Sequence, residues 1–351
     1  MANHPSFNQP PALSLVLIWV LFGTVSIQGQ SFVYGSREYL KAGRSYRQIH
    51  MMDIETGKSI QLSKSARDHE IPWCTSDGSV YFTIPSEKAI YRLDRMSGQE
   101  SKVMPMPQDL RAFIGEMDDQ HIAVQKQIGD HFEIEILDLK ARRSIRKFPG
   151  MSAAISPDYK SIAYASPPST PDAVSHVYVA GIRGGNILDL GEGATPAFFP
   201  TGEKIAYTLP QESKNASQIS TIIYDLKTGS RDSRIFSAVD EVFAFACLTI
   251  APDGLTMVLA TQGGAHGSYI YYLLRSGLAT VFDKNLPGWA GWSSDGLLLY
   301  PGEQDVRALD RSRKVWVNDI RDFDSRTGRV RTLIKGISTN IDPAWCVPHG
   351  H

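Results

Sequence analysis

The chain has 351 residues, of which 42% are hydrophobic and 10% aromatic, enough to bury the core of one large or two ordinary domains. This composition excludes a disordered chain. The 36 basic and 37 acidic residues nearly cancel, so the chain lacks the positive field that attracts nucleic acid or an anionic membrane surface. We therefore expect no nucleic-acid partner.

The N-terminal region contains an uncharged apolar run, ALSLVLIWVLFGTVSI, at residues 12–27. The run is short for a membrane-spanning helix but has the length of the hydrophobic region of a secretory signal. No Lys or Arg occurs before Arg37, so an uncleaved anchor stays open as the alternative. We interpret residues 1–29 as a secretory signal or N-terminal anchor. We expect a periplasmic or secreted protein that contacts a membrane only through this segment, if it is uncleaved.

Residues 31–350 contain a recurring unit, which predicts a single domain. The stretch EIPWCTSDGSVYF at residues 70–82 returns in altered form, and weaker copies fill residues 115–124 and 342–350. The fuller copies are SAAISPDYKSIAY at 152–164, TPAFFPTGEKIAY at 195–207, LTIAPDGLTMVLA at 248–260 and WAGWSSDGLLLY at 289–300. Intervals of 43, 52 and 42 residues separate Asp158, Thr201, Asp253 and Asp295. This period is typical of the four-stranded blades of a β-propeller.

Two short turns in each unit predict antiparallel hairpins. The first follows the pattern Ser-Asp-Gly, as at residues 76–78. The second returns as DIETG at 53–57, DRMSG at 94–98, DLKTG at 225–229 and DSRTG at 324–328. Asp or Ser caps such a turn through its side chain, and Gly takes the positive φ that ends it. We predict an all-β fold, a seven-bladed β-propeller of four-stranded antiparallel blades, with six or eight blades as the alternatives.

The two ends of the repeat predict how the ring closes. SFVYGSREY at 31–39 and RQIHMMDIETG at 47–57 have the pattern of the second and third strands of a blade that lacks a first strand. The C-terminal DPAWCV, which begins at residue 342, has the pattern of a first strand. We expect the C-terminal strand to pair with the N-terminal blade, because this pairing hides an edge strand that would otherwise promote aggregation.

The units resemble the WD40-like repeat of the TolB-like β-propeller family, from Ser31 to Gly350. The resemblance rests on a Pro and an aromatic residue before the Asp-Gly turn, a strand such as KIAY, and a later Asp-x-x-Thr-Gly turn. It is specific for the blade and says little about function. TolB has six blades and a separate α/β domain before its propeller, whereas about thirty residues precede the first blade here. We therefore expect a TolB-like propeller that is not TolB.

The three cysteines are expected to be free. Cys74 and Cys346 occupy the same position of the repeat, where other units carry apolar residues. Equivalent residues of neighbouring blades should point the same way around the ring, which disfavours a bridge between them. Cys247 has no partner by the same reasoning. Four tryptophans lie at first strands: Trp73, Trp289, Trp292 and Trp345. We expect them to pack between blades, with a sugar-binding platform as the alternative.

The long variable loops of the predicted propeller lie on one face, and binding residues tend to lie on loops that a rigid scaffold positions. Residues just before each first strand should surround the mouth of the central channel there. The candidate binding residues are Asp68, His69, Glu70, Asp240, Glu241 and Asp342, with Asp109, Glu192 and Asp283 in similar places and Arg67, Arg111 and Lys284 as positive counterparts. Such a mouth is net acidic and would attract a cation or a basic peptide. Ordinary solvated loop charges are the alternative.

The function predicted from these features is a non-catalytic scaffold. The sequence has no G-x-S-x-G elbow, H-E-x-x-H helix, Walker loop or dinucleotide fingerprint. We expect no catalytic residues, no cofactor and no metal, although a divalent cation in the central channel stays open. The resemblance to TolB-like propellers implies that the channel mouth binds a periplasmic or envelope protein or peptide. We expect the protein to be a monomer.

A polysaccharide-active enzyme is the alternative function. Oligogalacturonate lyases are propellers with similar blades, and the resemblance extends to the number of blades. Those lyases hold a metal with a histidine cluster in the central funnel. His69 at the predicted mouth and His266 in a Gly-rich loop are the best metal or base candidates of this chain. Because the mouth offers one histidine and not a cluster, we prefer the scaffold.

Overall fold

The computed structural model describes most of the chain beyond residue 29. The described residues are 30–37, 45–75, 77–95, 97–118, 120–166, 174–209, 218–237, 244–262, 269–274, 279–284, 291–308, 314–336 and 339–346. The predicted signal or anchor at 1–29 therefore lies outside them. Within the described ranges, no helix is long and apolar enough to cross a membrane.

The described strands form seven four-stranded antiparallel sheets. The first sheet contains β1 (Ser31–Arg37), β2 (Gln48–Asp53), β3 (Ser59–Gln61) and the last strand of the chain, β28 (Thr339–Trp345). The second contains β4 (Glu70–Cys74), β5 (Val80–Ile84), β6 (Ala89–Leu93) and β7 (Glu100–Pro105), with a short 3-10 helix at Pro85–Glu87. The third contains β8 (Leu110–Glu116), β9 (His121–Ile128), β10 (His131–Asp138) and β11 (Arg143–Pro149).

The remaining sheets follow the same plan along the chain. The fourth contains β12 (Met151–Ile155), β13 (Ser161–Ala165), β14 (His176–Gly181) and β15 (Ile187–Glu192). The fifth contains β16 (Ala194–Phe198), β17 (Lys204–Thr208), β18 (Gln218–Asp225) and β19 (Arg231–Ser237). The sixth contains β20 (Ala244–Ile250), β21 (Thr256–Gln262), β22 (Tyr269–Leu274) and β23 (Ala279–Lys284). The seventh contains β24 (Gly291–Trp292), β25 (Leu297–Ala308), β26 (Lys314–Asp324) and β27 (Arg329–Ile334).

The sheets are arranged as the blades of a β-propeller, which confirms the predicted all-β architecture with four-stranded antiparallel blades. Successive sheets contact each other through their first strands, including β4 with β8, β12 with β16 and β24 with β28. β28 also contacts β4. The fourth strands, by contrast, are largely exposed, and β3 is exposed along its whole length. The first strands are therefore the inner strands of the propeller.

The core lies between neighbouring sheets. The second strand of a sheet is covered on both faces, so its sequence is a continuous apolar run without polar alternation. β5 is buried at every residue, and Ile205, Ala206 and Tyr207 of the KIAY strand are almost inaccessible to solvent. Phe32 of β1 packs with Leu299 and Ile320 of the seventh sheet. The same type of packing therefore joins the first and last sheets of the chain.

The two predicted turn types are present. In the DIETG turn, Asp53 Oδ1 accepts a hydrogen bond from the Thr56 backbone N–H at 2.8 Å, and Gly57 has φ 65°. In the DLKTG turn, Asp225 Oδ1 accepts one from Thr228 N–H at 2.9 Å, and Gly229 has φ 73°. The local chemistry read from the sequence therefore sets these hairpins, because the carboxylate satisfies a backbone donor and glycine removes the steric cost of positive φ.

Three of the four tryptophans bear out the expected packing between blades. Trp292 of the seventh sheet packs against a buried cluster that includes Val258 of the sixth. Trp73 is buried and stacks between Tyr81 of its own sheet and Phe113 of the next, with ring centroids 5.6 and 4.7 Å away. Trp345 packs against Phe32 and donates a hydrogen bond from Nε1 to the Gly291 carbonyl of the seventh sheet at 3.0 Å. Trp289 lies outside the described residues.

The expectation that Cys74 and Cys346 are free thiols was wrong. The two residues form a disulfide between β4 and the end of β28, with Cα atoms 4.9 Å apart. This separation lies within the range that disulfides require. The repeat placed both cysteines correctly at the ends of first strands. The error was in the direction of the side chains, because inner strands of adjacent blades converge closely enough for equivalent residues to face each other. Cys247 is free, as expected.

We predict that removing this disulfide destabilises the protein. The bond joins residues 272 positions apart, so it restricts the unfolded chain strongly. Replacing both Cys74 and Cys346 with Ala should lower the free energy of unfolding by roughly 2–5 kcal/mol, measured by chemical denaturation without reductant. Cys247→Ala is the matched control and should behave like the wild type. Equal stability of the double variant and the wild type would contradict the prediction.

Candidate functional site

The starting ends of the inner strands share an unusual backbone feature. Ile71, Ser152, Thr195 and Asp342 have φ angles between 48° and 52°, the left-handed region that side chains other than Gly seldom adopt. Near each of them, the pairing with the second strand shifts register. Ile71 and Thr195 are β-branched, for which this conformation is particularly costly, so local strain recurs at one end of the inner strands.

Asp342 lies at this end of β28, beside the start of β4. Its carboxylate accepts a hydrogen bond from the Ile71 backbone N–H, with Arg47 and Glu70 close enough to act on it electrostatically. The residue as a whole is exposed to solvent, but its carboxylate lies among protein atoms at this end of the inner strands. This desolvation raises the pKa of Asp342, and the positive charge of Arg47 only partly opposes the rise. Asp342 is therefore a carboxylate whose charge is poorly compensated.

Asp68 and Glu70, in contrast, are paired with arginines. Arg37 forms an ion pair with Asp68, and the Arg47 backbone N–H donates to Asp68 Oδ1 at 2.8 Å. Arg47 Nη1 donates to Glu70 Oε1 at 2.9 Å. Asp68 and Glu70 both contact Arg47, whose charge also acts on Asp342, so these three carboxylates lie around one arginine. The expected net acidic character is reduced, because two unpredicted arginines compensate Asp68 and Glu70.

His69 lies next to these groups but is completely buried. Its Nδ1 is 3.0 Å from the Arg47 carbonyl oxygen, and its Nε2 is 3.0 Å from Glu100 Oε1 and 3.1 Å from Ser65 Oγ. The ring also packs against Phe82, with centroids 5.0 Å apart. Both ring nitrogens are thus occupied by protein partners. In this arrangement His69 faces the interface between the first and second sheets and not the solvent.

A second group of charges occurs in the sixth and seventh sheets. Arg321 Nη1 lies 2.8 Å from Asp283 Oδ2, and its Nη2 lies 2.9 Å from Asp319 Oδ2. Tyr300 donates a hydrogen bond to Asp283 at 2.7 Å, and burial, together with the charge of Asp283, raises the pKa of Tyr300. Asp283 was predicted as a mouth residue, and here too an arginine compensates the acid. Asp240 and Glu241 lie outside the described residues.

The sequence analysis did not identify three residues that contact the candidate site residues, namely Arg37, Arg47 and Glu100. Arg37 and Arg47 carried one signal, since both flank the long loop between β1 and β2 on the predicted binding face. Glu100 carried none, because it begins the outer strand β7 and lies 31 positions from its partner His69. Among the described residues, no group of three or more His, Cys, Asp or Glu side chains is placed to hold a metal ion.

The sequence matches no known family model and no curated protein. Solved propellers share its fold. TolB from Acinetobacter baumannii is 13% identical over 90% of this chain and 83% of its own, with a TM-score of 0.50. An oligogalacturonate lyase from Vibrio parahaemolyticus is 10% identical over 81% and 90%, with a TM-score of 0.52.

A third structure with this fold is the acylaminoacyl peptidase of Pyrococcus horikoshii, 14% identical with a TM-score of 0.59. The match covers 87% of this chain but 51% of the peptidase, so this chain corresponds to about half of that protein. The neighbours thus confirm the resemblance to TolB-like and related WD40-like β-propellers at the level of fold. They include a lyase and a peptidase as well as TolB, so the shared fold does not select a function.

We predict that Asp342→Asn stabilises the protein at neutral pH. The raised pKa means that ionising Asp342 costs folding free energy, and this cost is absent at pH values where the carboxyl is protonated. The melting temperature of the variant should therefore exceed that of the wild type at pH 7, and the two should converge as the pH falls below about 4. Asparagine suits the position, since it tolerates positive φ and can accept the Ile71 hydrogen bond.

The control for this experiment is Asp53→Asn in an exposed turn. Hydrogen bonds from Thr56 lower the pKa of Asp53, so its ionised form contributes stability that is lost on acidification. Asp53→Asn should therefore lower the melting temperature at pH 7, whereas Asp342→Asn should raise it. Both differences from the wild type should disappear at low pH. A lower melting temperature of Asp342→Asn at pH 7 would contradict our assignment of Asp342.

Proposed function

We propose that this chain is an exported, non-catalytic β-propeller scaffold that binds a protein or peptide partner at the mouth of its central channel. The observation that carries the proposal is the environment of Asp342. Among the described residues it accepts one hydrogen bond, from Ile71, while Asp68 and Glu70 beside it are paired with arginines. A positive group of a partner would compensate this carboxylate and offset its desolvation. A basic side chain or an N-terminal amine of a peptide supplies such a group.

The proposal includes a closed ring of seven blades. Three observations support it: β28 pairs with β1, the Cys74–Cys346 disulfide ties β28 to the second sheet, and residues of the seventh sheet pack against Phe32 and Tyr34 of the first. Closure places the inner strands around an axis, so that Asp342 and Glu70 border the channel. The pairing with β28 also covers β1, which would otherwise be the inner edge strand of the first sheet.

Deletion of residues 342–351 tests the closure. The deletion removes two of the five described residue pairs between β28 and β1, and it also removes Cys346. It should therefore destabilise the protein more than loss of the disulfide alone. Melting temperatures of the deletion variant and of the Cys74→Ala, Cys346→Ala double variant provide the comparison. If the deletion variant is as stable as the double variant, the pairing of β28 with β1 contributes no thermal stability. That result would contradict the closed seven-bladed ring.

Export is supported by the disulfide and by the apolar run at residues 12–27. Disulfides form and persist in oxidising compartments such as the periplasm or the extracellular space, and they are rare in the cytosol. The run has the length of a signal hydrophobic region. The proposal therefore places the partner in the same compartment, as a periplasmic, envelope or extracellular protein.

The polysaccharide-active alternative gains no support from the site. That alternative requires a metal in the funnel, and His69 and His266 were its best candidate ligands. His266 lies outside the described residues. Because both ring nitrogens of His69 contact protein groups and the side chain is buried, the residue does not fit as a metal ligand in this arrangement. The similarity to the lyase is one of fold, and we derive no catalytic step from it.

Cross-linked affinity capture from the native envelope or secreted fraction tests the binding proposal. Asp342→Asn removes the charge and keeps the hydrogen-bonding shape, so it should reduce capture of one specific protein by about tenfold, the effect of losing one charge-assisted contact. Asp232→Asn on the exposed strand β19 is the matched control and should capture that protein like the wild type. Equal recovery with both variants would refute a binding role for Asp342.

A further inference from the structure

The turn between β10 and β11 differs in one residue type from the equivalent turns of the first, second, fifth and seventh sheets. It has the sequence DLKARR at residues 138–143, where the fifth sheet has DLKTGS at 225–230. Arg142 therefore occupies the position of Gly229, and both adopt the left-handed conformation, with φ 57° and 73°. Arginine incurs a steric cost in this conformation that glycine avoids. Because the turn itself favours glycine, the arginine needs another explanation.

The positive charge continues from this turn into the outer strand β11. Residues 140–147, KARRSIRK, include five basic residues and no acidic residue. Lys140, Arg142 and Arg143 are exposed, and none of these three forms an ion pair with a carboxylate within the part of the chain that the structure describes. Asp138, which begins the turn, accepts a hydrogen bond from a backbone N–H of the turn at 2.7 Å. Three positive charges thus face solvent at one end of the blade.

Arg146 connects this strand to the fourth sheet. Its Nη1 donates hydrogen bonds to the carbonyl oxygens of Gly181 and Ile182, at 2.6 and 3.2 Å. Its guanidinium also lies over the ring of Phe148, 4.7 Å from the centroid. Gly181 and Ile182 lead into the turn between β14 and β15, which carries the exposed Arg183. The positive surface therefore extends across two neighbouring blades.

Exposed apolar side chains accompany these charges. Ile145 is 43% exposed, and it is the extra residue of a β-bulge between Ser144 and Arg146, which both pair with residues of β10. Ile187, at the start of β15, is 53% exposed. The combined surface, which we call the basic rim, consists of Lys140, Arg142, Arg143, Ile145, Arg183 and Ile187.

The composition of the basic rim favours an anionic bilayer as its partner. Basic side chains are attracted to acidic lipid headgroups, and apolar side chains beside them enter the interface between headgroups and acyl chains. A soluble polyanion would account for the positive charges but not for the two isoleucines, which are stabilised by leaving water.

The course of the chain also favours a bilayer. The Gln30 carbonyl oxygen accepts a hydrogen bond from the Ile54 backbone N–H at 2.9 Å, so residue 30 lies beside the DIETG turn of the first sheet. This turn is the counterpart of the DLKARR turn, and equivalent turns of propeller blades emerge on one face. The apolar run at residues 12–27 therefore joins the described chain on the face that carries the basic rim.

We propose that the basic rim binds the surface of a membrane rich in anionic lipid, so that the face with the short turns points toward the bilayer and the channel mouth points away from it. This arrangement leaves the mouth accessible to a partner, and it does not depend on a binding role for Asp342. Membrane contact is then not confined to residues 1–29. The net charge of −1 gave no sign of this surface, because it averages the basic rim with acidic residues elsewhere in the chain.

Partition of the full-length chain into lipid vesicles tests the proposal. Vesicles of phosphatidylcholine alone are compared with vesicles that also contain phosphatidylglycerol, and the ratio of the two partition coefficients is measured. Residues 1–29 contain no Lys, Arg, Asp or Glu, so their contribution should cancel in this ratio. A variant with Arg142→Gly, Arg143→Gln and Arg183→Gln should lower the ratio by about a hundredfold, because each basic residue near an anionic surface contributes about fivefold. Arg142→Gly restores the residue that the turn favours, so this change should not impair folding.

The matched control carries Lys64→Gln, Lys314→Gln and Lys335→Gln, which remove three exposed positive charges at the long-loop ends of strands, on the opposite face. Its net charge equals that of the rim variant, and its ratio should stay at the wild-type value. Melting temperatures verify that both variants are folded. An equal fall of the ratio in the control, or a wild-type ratio of one, overturns the proposal. Binding of the wild type to soluble polyphosphate without a preference for phosphatidylglycerol also overturns it, since the basic rim would then bind a soluble polyanion.

Discussion

The antiparallel pairing of β28 with β1 is the interaction on which the arrangement of the site depends. The pairing joins Phe32 to Trp345 and Ser36 to Asn340, so the last described strand of the chain lies against the first. It places Cys346 within bonding distance of Cys74 at one end of β4 and Asp342 beside Ile71 at the other. A single strand added from the far end of the chain thus supplies both the covalent tie and the candidate binding carboxylate.

The cost of gathering acidic residues at the inner ends of strands explains the arginines found there. A carboxylate that is partly removed from water loses hydration free energy, and a guanidinium recovers part of it through paired, charge-assisted hydrogen bonds. Among the described residues, the same solution pairs Arg37 with Asp68 and Arg47 with Glu70. It occurs again where Arg321 lies between Asp283 and Asp319. Asp342 differs from these carboxylates, because the hydrogen bond described for it comes from a backbone N–H and not from an arginine. This departure distinguishes a candidate binding group from a structural ion pair.

The sequence was sufficient for features that depend on neighbouring residues and on the repeat. Asp53 and Gly57 define a turn locally, and the repeat assigns Trp73 and Cys74 to a first strand without knowledge of the rest of the chain. The sequence was not sufficient to predict which side chains contact each other across two blades, because this depends on the direction in which each side chain points. The Cys74–Cys346 bond and the enclosure of His69 by Glu100 join residues far apart in the chain, and position within a repeat contains no information about such contacts.

The left-handed backbone recurs at the starting ends of several inner strands. If this position of the repeat contributes to binding specificity, the side chain there must provide it. Ile71, Thr195 and Asp342 adopt the same left-handed conformation, and each is followed by a proline, which has no N–H to donate where the ladder is interrupted. Because the backbone geometry recurs, it cannot by itself distinguish one blade from another. The side chain can, and among these three residues Asp342 alone carries a charge. A partner that enters along the proposed axis would meet similar backbone at these three positions but a carboxylate at only one of them, and that asymmetry would orient it.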